Sequence, residues 1–81
     1  MTEDKIQRSL FEIFSKTFDY NQPVLPELSA DMVEKWTSLT HNIFILDVET
    51  FFSISFTLRE VARFKNLGDM IPVIKKHLDQ N

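Results

Sequence analysis

Ser38 is the residue of this chain best placed to do chemistry. It stands in Trp36-Thr37-Ser38-Leu39-Thr40-His41, where a proline-bearing stretch gives way to apolar residues at helical spacing. A serine at the start of a helix has two uses. Its oxygen can cap the helix by accepting a backbone N–H, or it can carry a covalent group. An anionic group is favoured there, because unpaired amides and the positive end of the helix dipole face it. His41 lies one turn beyond Ser38, and is expected as a surface side chain beside the site rather than an acid–base catalyst. No nucleophile–base–orienter set is visible, so an enzyme is not expected. His41 and His77 lack the spaced carboxylates or cysteines of a metal centre. The chain has no cysteine, which excludes disulfides, a thiolate zinc site and a thiol nucleophile of its own. The single glycine, Gly68, cannot build a phosphate-cradling loop.

The apolar run continues to a Ser53-Ile54-Ser55-Phe56 tail before Thr57. The whole window resembles the attachment region of the acyl carrier proteins, which reads Trp-Asp-Ser-Leu, then a helix, then Glu-x-x-Phe-x-Ile/Val-x-Phe. Trp36, Ser38, Leu39, His41, Leu46, Glu49, Phe52, Ile54 and Phe56 stand in that register. The resemblance spans about Ile6 to Leu78, with its specific part confined to Trp36–Phe56.

The resemblance implies a 4'-phosphopantetheine arm, taken from coenzyme A and joined to Ser38, that presents an acyl thioester to other enzymes. Thr37, Leu39 and His41 would flank the attachment point. Ile43, Asp47, Phe51 and Ile54 would belong to the partner-docking surface. The partners implied are a phosphopantetheinyl transferase and the enzymes that load and transfer the acyl group. One position departs from the pattern: Thr37 stands where the family has aspartate. Threonine keeps the capping role and removes a charge that a transferase reads, leaving open a site still loaded, one needing a dedicated transferase, or one that stays bare. Ser-Leu-Thr-His is more similar to discrete carriers of specialised pathways than to housekeeping fatty-acid carriers, and a peptidyl or aminoacyl carrier is the nearest variant. A cofactor-free helical interaction module is the alternative from another class.

Composition narrows the rest. Apolar residues make up 43% of the 81, with eight phenylalanines, enough for one domain with a small core. A core so rich in phenylalanine leads us to expect a short or polar acyl group, because packed interiors hold few voids. The net charge is −3, and the acids concentrate in the first two thirds of the chain. Nucleic acid binding is disfavoured, since the helix after Ser38 carries no base. No stretch is apolar enough for a membrane span, and the start carries Glu3 and Asp4 rather than a basic leader. A soluble, cytoplasmic monomer is the expectation.

Four helices must position the site. Ile6, Leu10, Ile13, Phe14 and Phe18 predict a first helix over about Glu3–Phe18, with Thr2 as its cap. Residues 19–36 predict a long connection anchored by Val24, Leu25, Leu28, Met32 and Val33, in which Ser29 could cap a turn over Ala30–Lys35. The second helix is predicted over Ser38–Phe52, with Leu39, Leu46 and Phe52 inward. Ile43 and Phe51 fall off that stripe, either buried under the long loop or the third helix, or exposed as an apolar partner patch. Thr57-Leu58-Arg59-Glu60 is a capping box that predicts a short third helix. Pro72 sets the start of the last helix near Asp69, with Met70 or Ile71, Ile74 and Leu78 inward. The fold class is therefore all-α, a small four-helix bundle of three longer helices and one short one, as in the acyl carriers.

Overall fold

Thr2 opens the first helix, α1 (Glu3–Phe18), by accepting a hydrogen bond from the Lys5 amide at 3.3 Å. Glu3 and Asp4 in the first turn and Lys16 in the last suit the helix dipole. The structure is a computed structural model and describes residues 1–80. Beyond α1 it contains α2 (Ser38–Phe52), α3 (Leu58–Arg63) and α4 (Met70–Asp79), with single 3-10 turns at Ala30–Met32 and Leu67–Asp69. The arrangement is a small all-helical bundle in which α1 packs against both α2 and α4. Its radius of gyration, 11.8 Å, is close to the value of about 12 Å for a well-packed chain of this length. Among the described residues, no helix is long and apolar enough to cross a membrane.

The core is largely aromatic. Ile6, Leu10, Phe14 and Phe18 line the inner face of α1, and Phe44, Ile45, Val48 and Phe52 that of α2. Phe14 meets Phe44 at 5.5 Å and Trp36 at 5.2 Å, both edge-to-face, and Phe18 closes the group. Such pairs add about 0.5–1.5 kcal/mol each beyond the area they bury. Met70, Ile71 and Ile74 complete the core from α4, with Leu78 only partly buried.

The inner face of α2 differs from the expected stripe. Leu39 and Leu46 were expected inward, yet they are 71% and 62% exposed, and only Phe52 of that set is buried. The reason is that α2 is apolar on both faces. Periodicity then offers two stripes, and packing against α1 selects the one through Phe44 and Val48.

Residues 19–37 are tied down by the 3-10 turn that precedes α4. The Leu67 amide donates to the Leu28 carbonyl at 3.0 Å, and the Gly68 amide to the Pro26 carbonyl at 2.8 Å. A Cβ on Gly68 would lie 3.2 Å from the Pro26 side chain, so glycine permits this close approach. Leu28, Val33 and Trp36 pin the loop into the core. Leu25 and Met32, expected as anchors, are instead exposed. The turn after Ser29 covers only Ala30–Met32, and the Ser29 hydroxyl donates to the Asp31 carboxylate rather than capping it.

Both α1 and α2 end on a non-glycine residue in the left-handed region, Asp19 (φ 50°) and Ser53 (φ 55°). The Tyr20 amide reaches the Ser15 carbonyl and the Ile54 amide the Glu49 carbonyl, each at 3.0 Å, which is the closure that such a residue makes possible. Pro72 falls within the first turn of α4, where the amide it lacks has no helical partner.

Candidate functional site

The cap of α2 is Thr37, not Ser38. The Thr37 hydroxyl accepts from the Thr40 amide at 3.3 Å, and the Thr40 hydroxyl accepts from the Thr37 amide at 2.7 Å. The Thr40 hydroxyl also donates to the Lys35 carbonyl at 2.6 Å, tying the helix start to the preceding loop. Two orphan amides are thereby satisfied reciprocally, as in a capping box with threonine in place of glutamate. Ser38 is the first residue of α2, exposed, and its hydroxyl forms no hydrogen bond with any described residue. The capping use of Ser38 is thus excluded, and its oxygen is free. Thr40 carries half of the cap, and its role was legible only as a second hydroxyl three residues after Thr37.

His41 is partly buried rather than free on the surface. The Trp36 indole N–H donates to His41 Nδ1 at 2.9 Å, and the two rings stack at 6.0 Å with 25° between their planes. Burial pushes the His41 pKa below the ordinary histidine value, since a desolvated imidazolium is penalised. Trp36 is itself held by Phe14, Phe18 and Phe44. The imidazole is therefore positioned from the core outward. Together with Trp36, Thr37, Ser38 and Asn42 it forms one wall of an open groove of about 680 Å³, which Phe64 and Lys65 close from the end of α3. Lys65 lies 27 residues from Ser38 in sequence, and no local pattern links them.

The expected docking residues separate. Ile43 and Phe51 are exposed, which decides between the two placements left open for them. With Leu39 and Leu46, Ile43 forms an outward apolar stripe at helical spacing, opposite the core face. Phe51 lies to one side, in a groove between α1 and α2 with Ile13 and Thr50. Asp47 is exposed, but its carboxylate accepts from the Thr17 hydroxyl of α1 at 2.8 Å. Ile54 is a core residue, so its placement at the docking surface is corrected. The left-handed Ser53 turns the chain and directs the Ile54 side chain inward.

Glu49 accepts from the Phe56 amide at 2.8 Å and so fixes the turn that leads to α3. The capping box at Thr57 forms as expected: the Thr57 amide donates to Glu60 at 2.9 Å, and the Glu60 amide to the Thr57 hydroxyl at 3.1 Å. His77 links two helices. Its Nε2 lies 2.9 Å from Glu60 Oε1 and joins α4 to α3, which has no buried residue of its own. The Thr57 amide and then His77 hold the Glu60 carboxyl below the usual carboxylate range. No family model, curated protein or solved structure matches this chain.

Proposed function

We propose that the chain is an acyl carrier, bearing a phosphopantetheine arm on Ser38 and presenting an acyl thioester to partner enzymes of a specialised biosynthetic pathway. The observation that carries this reading is the free Ser38 hydroxyl at the first position of α2, beside a cap that Thr37 and Thr40 complete without it. A serine kept only for capping would be engaged. An exposed one at a helix N-terminus suits a phosphodiester, which the dipole and the remaining amides stabilise.

Three further features support the reading. The chain has no cysteine to compete for acyl groups. The donors beside Ser38 are a neutral imidazole, an amide and an ammonium, at His41, Asn42 and Lys65, and this set fits a phosphate-bearing group. The outward stripe of Leu39, Ile43 and Leu46 offers an apolar docking face for a loading or transferring enzyme, with Asp47 beside it. The aromatic rings between α1 and α2 favour a short or polar cargo held outside the core.

Loading would form a bond from Ser38 Oγ to phosphorus while the pyrophosphate bond of coenzyme A breaks. The adenosine bisphosphate departs with the electron pair, and the hydroxyl proton passes to the transferase or solvent. The test is an intact-mass measurement after incubation with coenzyme A and a broad-specificity transferase. The protein should gain one phosphopantetheine, and Ser38→Ala should abolish the gain. Thr37→Asp should speed loading by restoring the charge next to the site. If even the folded Thr37→Asp protein stays unmodified, the exposed α2 stripe is better explained by a cofactor-free interaction module.

A further inference from the structure

Building on the carrier reading, we infer that Trp36 fixes His41 as a hydrogen-bond donor to the phosphodiester on Ser38, with Lys65 as the counter-charge across the groove. The Trp36 indole can only donate. Its bond to His41 Nδ1 therefore requires an unprotonated Nδ1, and the proton of the neutral ring must sit on Nε2. That second nitrogen has no partner among the described residues. Among the described residues no buried side-chain nitrogen or oxygen is left unpartnered, so Nε2 reaches solvent on a ring that lines the groove beside Ser38. Burial of the imidazole favours this neutral form.

A neutral imidazole protonated at Nε2 donates there and cannot accept. It is unable to take a proton from Ser38, which removes a serine–histidine dyad from consideration. It is well suited to a phosphate oxygen. The charge comes from Lys65, which forms no ion pair with any described residue and lines the groove with Ser38. Its backbone is held in place, because its amide donates to the Asp69 carboxylate at 2.9 Å. A phosphodiester carries one negative charge, and α2 supplies no cation. One lysine therefore balances it, and a neutral imidazole adds direction without excess charge. Trp36 is a positioning residue in this scheme, while His41 and Lys65 touch the arm.

The experiment uses the full chain, loaded with phosphopantetheine and followed by nitrogen NMR of the imidazole and phosphorus NMR of the arm. The imidazole should show the Nε2-protonated tautomer, and loading should shift that N–H. His41→Asn keeps an acceptor at the place of Nδ1 and removes the distal donor. Lys65→Gln removes the charge from an exposed side chain. Each should return the phosphorus resonance to that of an unbound phosphodiester, and the melting temperature of the Lys65→Gln protein should be unchanged. Trp36→Phe should leave His41 as a mixture of tautomers. Raised salt should move the unsubstituted protein's resonance the way Lys65→Gln does. A phosphorus resonance unaltered by both His41→Asn and Lys65→Gln would overturn the contact and leave the carrier reading standing. Failure to take up the arm, seen in the intact mass, would overturn the carrier reading and this contact with it.

Discussion

Phe44, Ile45, Val48 and Phe52 on one face of α2 meet α1 and the loop residues packed on it, while Leu39, Ile43 and Leu46 on the opposite face meet water. The two stripes are similar in hydrophobicity, and only one contributes to the fold. An isolated exposed leucine needs no explanation. Three large apolar residues stacked along the outside of one helix, starting next to an exposed serine, are costly to solubility unless something covers them. One stripe holds α2 in place, and the other is left uncovered.

Replacing Phe44 by alanine should have the largest effect. Phe44 is fully buried between α1 and α2, and the loss should be about 3–5 kcal/mol, measured by urea denaturation. A small loss would mean that the inner stripe is not the core. The cap provides the second contrast. Thr37→Ala should cost about 1 kcal/mol, because the hydroxyl that accepts from the Thr40 amide is lost while the Thr37 amide keeps its bond to the Thr40 hydroxyl, whereas Ser38→Ala should stay within about 0.5 kcal/mol. Equal effects at the two positions would show that Ser38 takes part in the cap and is not free.

The pH dependence sharpens the same comparison at the rim of the inner face. Burial lowers the His41 pKa in the fold, so the unfolded chain binds that proton more readily. The contribution of the Trp36–His41 bond is then complete above the ordinary histidine range and is lost as pH falls through the lowered pKa. Trp36 is the single tryptophan, so its fluorescence reads the break directly. The midpoint should lie below that of free histidine, and His41→Asn should abolish the step. Lys65 is the charged group lining the same groove. Acid also reaches Glu60, whose lowered pKa means that the stability gained from Thr57 and His77 survives until that carboxyl is protonated. Each residue of the outer stripe should contribute little to stability. Replacing Leu39, Ile43 and Leu46 with serine should move the stability by no more than about 0.5 kcal/mol per site. Under the carrier reading the same triple variant should slow acyl transfer to a partner, measured as turnover at equal concentrations of loaded protein.

Much of the scaffold was legible because its signals are local. The bounds of α1 follow from Thr2 and the Ile6-Leu10-Phe14-Phe18 spacing, and the start of α3 from Thr57 and Glu60. Thr37 as a competent cap was legible for the same reason. The faces of α2 were not, because a helix apolar on two faces carries two comparable stripes and no internal preference between them. Ile54 was misplaced for a related reason: the left-handed Ser53 alters where the next side chain points, and serine gives no warning of that conformation.

What the sequence by itself determined is what neighbours in the chain decide: four helices, their caps, a hydroxyl at the start of the second one, and the absence of any thiol. What only the tertiary structure decided depends on residues far apart in sequence. Packing against α1 chose which stripe of α2 is buried. Trp36, seated among Phe14, Phe18 and Phe44, fixed which nitrogen of His41 is free. The end of α3 brought Lys65 to the groove beside Ser38. Hydrogen bonds along a helix span three or four residues and can be read from spacing. The groove is made by segments joined only through the core, and its chemistry exists once that core has formed.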